Sequence, residues 1–217
     1  MSFAIIKIMT KMIDIVIPKN NEGEFIEIAS KLGIKKLYFL YDFNYYDKNI
    51  NQKKLSFENH ENIEVEIGFI GSQKNLNKAQ HQSKLIVAKS SDNDRFFIES
   101  KKIKLIYGFE ESNKKDYLHQ RASGLNHILC ELANKHNVVI GFSYSTLFSK
   151  DSQKISLLMG RMMLNIKLCQ KYKVKTVIGS FSEKPFEMRS PFDITSLFTI
   201  FGMDGRNIKD SILSDFY

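Results

Sequence analysis

Residues 138–180 read VVIGFSYSTLFSKDSQKISLLMGRMMLNIKLCQKYKVKTVIGS, and their pattern decides the fold. The apolar runs at the two ends, residues 138–143 and 174–180, are short and rich in β-branched residues, which predicts strands. Between them, residues 154–173 carry apolar side chains at helical spacing over a length typical of a helix. A strand, a helix and a second strand in this order indicate two parallel strands joined by a crossover helix.

The same alternation runs through the rest of the chain. Further strands are predicted at 12–18, 35–43, 63–71, 84–90 and 103–109, and further helices at 22–33, 92–100, 123–137, 190–202 and 205–216. Strands that are apolar on both faces are typical of a parallel sheet covered by helices. Seven such units without a linker-like break predict one α/β domain over residues 1–217, a TIM-barrel-like closed sheet surrounded by helices. The polar segment at about 44–62 is predicted to be an excursion from that barrel.

The composition is that of an ordinary soluble globular protein, with 43% hydrophobic and 26% charged residues. No apolar run reaches the roughly 18 residues that a membrane span needs, and the first residues lack a signal-peptide cleavage site. The sequence therefore predicts a cytoplasmic protein that makes no membrane contact.

Two cysteines, Cys130 and Cys169, lie in helical patterns without a CxxC partner, which argues against a disulfide scaffold or a zinc knuckle. Both are predicted to be buried as small apolar residues. Around the first of them, Leu125, Ile128, Leu129 and Leu132 form the predicted apolar stripe of a helix.

The net charge of +8 and the pI of about 9.3 favour an anionic partner, of which nucleic acid is the commonest large one. Residues 150–189 hold nine basic and three acidic side chains, which is +6 of the total. A composition rich in Lys, Asn and Ile is also typical of an AT-biased genome, so the charge alone leaves both explanations open.

Three loops that follow predicted strands, residues 88–95, 141–146 and 178–190, combine hydroxyl groups with nearby positive charge. Because the loops after the strands form the working face of an α/β barrel, we expect all three to point the same way. The candidate RNA-binding residues are Arg189, Lys184, Arg161, Arg121, Lys150, Arg95, Ser180 and Ser190.

Arg189 is the strongest of these candidates, since it stands just before Ser190-Pro191 and a predicted helix start, and its fork can hold two phosphate oxygens. The alternative is that Arg189 binds Asp193 or a barrel carboxylate and shapes the loop. Arg161, inside the Met-rich run LLMGRMML (157–164), is equally compatible with an internal ion pair. That run is either core or a docking face for a partner protein. Three aromatic side chains are suited either to stacking on bases or to core packing: Phe142, Tyr144 and Phe181.

Three motifs resemble the ribonuclease P protein component 3 family, the archaeal counterpart of the thirty-kilodalton eukaryotic RNase P subunit. They are GLNHILCELANKHNVVIGFSYSTLF (124–148), LNIKLCQKYKVKTVIGS (164–180), and Met188-Arg189-Ser190-Pro191-Phe192-Asp193 followed by Phe201-Gly202-Met203. The resemblance implies a barrel-like subunit of the ribonucleoprotein that removes the 5′ leader from precursor tRNA. It further implies that the RNA subunit performs the hydrolysis with bound Mg²⁺, and that the protein itself binds no cofactor and contributes no catalytic residue. The implied partners are the RNase P RNA, precursor tRNA through the complex, and a small α/β protein in a heterotetramer.

The same resemblance extends to the PHP family of metal-dependent phosphoesterases, whose first strand carries D-x-H-x-H. Here that strand reads Asp14-Ile15-Val16-Ile17-Pro18, so valine and proline stand at the two histidine places. Asp14 is expected to accept hydrogen bonds from backbone donors instead. The alternatives that remain are a PHP-type phosphoesterase with rearranged metal ligands and a non-catalytic scaffold barrel.

Overall fold

Seven parallel strands form a single sheet, in which each strand pairs with the next along the chain. The computed structural model describes residues 12–45, 63–117 and 121–213. The strands are β1 (Ile13–Val16), β2 (Lys36–Asp42), β3 (Glu64–Ile70), β4 (Ile86–Lys89), β5 (Leu105–Tyr107), β6 (Val139–Ser143) and β7 (Thr176–Gly179). All seven lie within the predicted strands. Most of the excursion predicted at 44–62 lies outside the described residues.

Seven α-helices of the described residues connect or follow these strands. They are α1 (Glu22–Leu32), α2 (Leu76–Gln80), α3 (Asp94–Glu99), α4 (His127–His136), α5 (Ser152–Lys171), α6 (Pro191–Ile200) and α7 (Gly205–Leu213). Six correspond to predicted helices. The sequence patterns missed α2, because its five residues are too few to show a helical period. No helix of the described residues is long and apolar enough to cross a membrane.

Backbone hydrogen bonds between β1 and the chain just beyond β7 bring the two ends of the sheet together. The Phe181 amide donates to the Ile15 carbonyl at 2.7 Å, and the Ile17 amide donates to the Ser182 carbonyl at 2.8 Å. These bonds continue the parallel ladder at the carboxyl ends of the strands. The prediction of a TIM-barrel-like closed sheet surrounded by helices is therefore confirmed.

Apolar side chains alternate between the inside of the barrel and the layer under the helices. The interior cluster includes Ile15, Tyr38 and Leu105, whereas the neighbouring residues of the same strands, such as Val16 and Phe39, pack against helices. Burying both faces of a parallel strand in this way explains why the strand sequences show continuous apolar runs.

The predicted stripe of α4 is confirmed for Leu125 and Leu129, which are buried, and for Leu132, which packs against the core. Asn126 caps it by accepting a hydrogen bond from the Leu129 amide at 2.9 Å, so the helix begins later than predicted. Its buried residues are Leu129, Cys130 and Ala133, whereas Ile128 is 48% exposed. The prediction for Ile128 was therefore wrong. Cys130 and Cys169 are buried free thiols, as predicted.

Candidate functional site

The mouth of the barrel, at the carboxyl ends of the strands, brings together loops from distant parts of the chain. The Ser143 hydroxyl donates to the Ser180 carbonyl at 3.0 Å, and the Arg189 amide donates to the Tyr144 hydroxyl at 3.2 Å. Lys89, the last residue of β4, lines the same cleft of about 1130 Å³ as Ser143 and Lys184. The expectation that the three loops point the same way is confirmed.

Positive charge in this cleft is compensated side chain by side chain. Its three lysines form ion pairs with glutamates that also line it: Lys19–Glu183 at 2.6 Å, Lys89–Glu111 at 2.9 Å and Lys184–Glu187 at 3.5 Å. Asp42 adds a fourth carboxylate to the lining. The cleft is therefore not a concentration of positive charge, in contrast to what the loop sequences indicated.

The serines of the 178–190 loop stabilise the loop itself. Ser180 is fully buried, and its hydroxyl donates to the Ile15 carbonyl at 3.0 Å. Ser190 caps α6, where its hydroxyl accepts from the Asp193 amide at 3.3 Å and donates to the Asp193 carboxylate at 2.8 Å. In this conformation Ser180 is inaccessible to a phosphate, because it lies inside the protein, so we remove it from the candidate set.

Asp14 is the buried acid at the centre of this arrangement. One carboxylate oxygen accepts from the Ile15 amide at 2.8 Å and from the Ser180 amide at 2.7 Å, and the other accepts from the Tyr144 hydroxyl at 3.1 Å. Burial raises the pKa of Asp14 from 3.8 to about 6, although the hydrogen bonds from Ser180, Ile15 and Tyr144 oppose that rise. The interpretation of Asp14 as an acceptor for backbone donors is confirmed.

Arg189 lies half-buried at the surface and contacts its own loop. Its Nη1 donates to the carbonyls of Phe186 and Met188, each at 2.8 Å, and its guanidinium lies 4.2 Å from the centroid of the Phe148 ring. The loop-shaping alternative therefore describes Arg189, with carbonyl groups in place of the expected carboxylate. No acceptor of the described residues binds its Nε or Nη2, so Arg189 remains a candidate for an RNA contact.

Arg161 is an internal residue of α5, with a side chain only 3% exposed. All five of its N–H donors are used, two of them on the Asp116 carboxylate at 2.8 and 3.0 Å. The others bind the carbonyls of Glu110, Ser112 and Lys114. This is the internal ion pair that the sequence left open as the alternative. A phosphate contact by Arg161 would break this network, so Arg161 also leaves the candidate set.

The four other basic candidates are exposed but scattered. Lys184 binds Glu187, and Arg95 binds Glu99 at 2.9 Å on α3. Lys150 follows the β6 loop. Arg121 lies against α5, where a Cβ built on Gly160 would come within 1.6 Å of its Nη1. All four side chains are accessible, and an RNA contact by each of them stays a prediction.

The aromatic side chains proposed for base stacking are core residues. Phe142, Tyr144 and Phe181 are at most 6% exposed. Phe181 stacks on Tyr107 inside the barrel, with ring centroids 4.4 Å apart. Core packing, the alternative stated from the sequence, is what the structure shows for all three.

The Met-rich run combines core and surface side chains. Leu158 and Met162 are buried, whereas Leu157 and Met163 are 37% and 36% exposed. Among the residues that the structure describes, no three His, Cys, Asp or Glu side chains are grouped so as to hold a metal ion.

Exposed lysines at the opposite end of the barrel form a feature that the sequence patterns did not reveal. They precede strands β4 to β7, in four segments that are far apart along the chain. Each segment leads from the end of a helix or a turn into the next strand and holds one to three lysines and no acidic residue, which is the only trace of the feature in the sequence.

The seven parallel strands form a closed barrel surrounded by helices, which is the architecture of an α/β barrel protein of the TIM type. The lysines at its mouth are paired with glutamates. The family model for the RNase P subunit p30 matches residues 11–215, and the chain belongs to this family. The resemblance stated from three sequence motifs is thereby confirmed.

Relatives among characterised proteins share the same description. The chain is 31% identical over 77 residues to ribonuclease P protein component 3 of Methanocaldococcus jannaschii, which is 36% of this chain and 33% of that protein. It is 32% identical over 129 residues to the component 3 protein of Thermococcus gammatolerans, which is 58% of this chain and 56% of that protein. These alignments span one third to just over half of the relatives' length.

A solved structure supports the same fold. A chain in the cryo-EM structure of archaeal ribonuclease P with mature tRNA superposes with a TM-score of 0.77, covering 91% of this chain and 85% of that chain. The sequence identity is 19%, so this likeness shows the shared barrel fold.

Proposed function

We propose that this chain is a protein subunit of ribonuclease P, the ribonucleoprotein that removes the 5′ leader from precursor tRNA. The observation that carries the proposal is the match of the p30 family model to almost the whole described chain. The barrel shared with a chain of an archaeal RNase P complex and the net charge of +8 support it.

In this proposal the RNA subunit hydrolyses the phosphodiester bond with its own Mg²⁺, and the protein contributes positive charge. Ammonium groups near phosphates release condensed counterions and reduce the repulsion between RNA segments. A folded RNA that is held by such a protein needs less Mg²⁺ to reach its active form. The expected effect of the chain is therefore a lower Mg²⁺ requirement.

The proposed partners are the RNase P RNA, precursor tRNA through the assembled complex, and a small α/β protein in a heterotetramer. Exposed apolar side chains at the surface, such as Phe186 (80%) and Phe192 (57%), support a contact with another protein. They lie beside the half-exposed Arg189, so one surface contains both apolar and cationic groups.

Reconstitution tests the proposal. The RNA subunit from the same organism is assayed for 5′ cleavage of precursor tRNA at graded Mg²⁺, alone, with this chain, and with this chain plus the small α/β protein. We expect no cleavage by the proteins alone and a several-fold lower Mg²⁺ concentration for half-maximal cleavage in the full mixture. Cleavage by the purified chain would indicate a phosphoesterase instead, and a Mg²⁺ requirement unchanged by the chain would indicate a scaffold. Either result would overturn the proposal.

A further inference from the structure

Four segments lead into β4, β5, β6 and β7 at the amino-terminal end of the barrel: residues 81–85, 100–104, 134–138 and 170–175. Together they contain eight lysines and no aspartate or glutamate. We call this surface the basal rim. Its lysines are Lys84, Lys101, Lys102, Lys104, Lys135, Lys171, Lys173 and Lys175.

The four segments are neighbours in space. The Lys104 amide donates to the Ile86 carbonyl at 2.9 Å, and the Val139 amide donates to the Lys104 carbonyl at 2.9 Å. The Ile140 amide in turn donates to the Lys175 carbonyl at 3.0 Å. Because paired strands lie roughly 4.8 Å apart, these bonds place the segments along one arc of roughly 15 Å. The rim is thus one continuous surface.

The ammonium groups of the basal rim form no ion pair within the part of the chain that the structure describes. Seven of the eight lysines are exposed, and Lys102 is half-exposed. No carboxylate of the described residues lies within ion-pair distance of any of them. Glu99 binds Arg95, and Glu64 and Glu66 bind Lys36. Asp210 of α7 lines a cleft together with Lys173 and Lys175, so it is an acid that shares this surface. The mouth lysines, by contrast, are all paired with glutamates.

Backbone conformation adds an independent observation. After α1, the chain turns toward the next strand through Gly33, whose φ is +76° and whose amide donates to the carbonyl three residues before it. Lys101 and Lys173 make the same turn after α3 and α5, with φ of +57° and +55°. Residues with a Cβ are strained in this left-handed region, and glycine is not. Lysine thus occupies two positions of the rim at which glycine would adopt the same backbone conformation with less strain.

We infer that the basal rim binds the phosphate backbone of RNA, an inference that rests on the proposed function. Lysine is a flexible point charge that suits phosphate groups. The rim has no arginine to read base edges, so its contacts would position the RNA without specifying sequence. RNA therefore lies at the amino-terminal end of the strands, away from the cleft in which each lysine is already paired.

Two charge-matched double variants of the full chain test this inference. The basal variant combines Lys173→Gln and Lys175→Gln, and the mouth variant combines Lys19→Gln and Lys89→Gln. Binding to the RNA subunit from the same organism is measured from 50 to 300 mM salt. We expect the basal variant to bind at least tenfold more weakly and to lose about 2 from the slope of log K against log salt. The mouth variant should change affinity less than threefold. Equal losses in both variants, or a loss in the mouth variant alone, would overturn the inference.

A second variant separates binding from folding. Lys101→Gly with Lys173→Gly removes two charges and also relieves two strained turns, so it should unfold at higher urea while binding RNA several-fold more weakly. Stabilisation together with wild-type affinity would refute the inference.

The cleavage assay distinguishes the two possible failures. If the wild-type chain leaves the Mg²⁺ requirement unchanged, the proposed function fails. If the wild-type chain lowers that requirement and the basal variant does so equally well, only the basal rim is wrong. A basal variant that binds RNA normally but no longer assembles with the small α/β protein would show a protein-docking surface and overturn the inference.

Discussion

Replacing Asp14 with asparagine should make the protein more stable at neutral pH, although Asp14 is fully buried and accepts three hydrogen bonds. Burial raises its pKa from 3.8 to about 6. The folded protein therefore binds a proton that the unfolded chain releases between about pH 4 and pH 6. The free energy of unfolding falls through that interval and is lowest above it.

The size of the effect follows from the two pKa values. The gap between 3.8 and about 6 corresponds to about 3 kcal/mol of stability that is present at pH 4 and lost at pH 7. Asparagine imitates the protonated acid, because its carbonyl oxygen can accept from the Ile15 and Ser180 amides while its amide group donates to the Tyr144 hydroxyl oxygen. The free energy of unfolding of Asp14→Asn should therefore be close to that of the wild type at pH 4 and exceed it by up to about 3 kcal/mol at pH 7.

Urea denaturation followed by circular dichroism at pH 4, 5, 6 and 7 measures this difference. Glu110 is a second buried acid, and burial raises its pKa to about 7. Its contribution cancels when the free energy of unfolding of the wild type is subtracted from that of the variant at each pH. Asp14→Ala serves as the control, since it leaves two buried amides without an acceptor and should be less stable at every pH. A difference between Asp14→Asn and the wild type that stays constant with pH would refute the reasoning.

Three further substitutions test the packing and the turns, each by urea denaturation. Arg161→Met should cost about 3–5 kcal/mol because it removes the cation that pairs with the Asp116 carboxylate and leaves three carbonyls without the guanidinium donors; a loss below 1 kcal/mol would contradict this role. Gly141→Ala should lower the free energy of unfolding by about 1–3 kcal/mol, since the new Cβ would lie 2.9 Å from the Tyr107 side chain on the neighbouring strand. The matched control is Gly23→Ala, where the new Cβ meets nothing within 4 Å and stability should be unchanged or higher. Lys173→Gly should stabilise by about 0.5–1 kcal/mol by removing strain at a φ of +55°, and destabilisation would show that the lysine side chain supports the fold.

The fold was predictable because the signal that carries it is local and repeated. In β6, α5 and β7 an apolar run, a helical period and a second apolar run stand next to one another, and a parallel barrel buries both faces of each strand. The error in α4 concerns the edge of the predicted stripe. Ile128 fits the helical spacing, but Cys130 and Ala133 are buried as well, which leaves Ile128 at the exposed edge of the core-facing side.

The candidate site was only partly predictable, because residue type does not reveal burial or pairing. Arg161 and Lys184 are both basic residues of one lysine-rich stretch, but one is buried on Asp116 and the other is exposed. Ser180 and Ser190 both follow a strand, yet the Ser180 hydroxyl donates to the Ile15 carbonyl of β1 and the Ser190 hydroxyl donates to Asp193 at the start of α6. The basal rim was not predictable because its lysines are spread along the chain from Lys84 to Lys175, and only the order of the strands brings them together.

The two ends of the barrel differ in what a phosphate group would displace. At the mouth, each cleft lysine is held by a glutamate, so an incoming phosphate must break an ion pair and then lie beside the released carboxylate. At the basal rim no ion pair has to be broken, since no described carboxylate is within ion-pair distance of those lysines. Counterion release favours binding only where the protein charge is not already neutralised. Loops at the carboxyl ends of the strands form the working face of most α/β barrels. For this barrel we therefore expect the electrostatic gain from binding RNA to be larger at the other end.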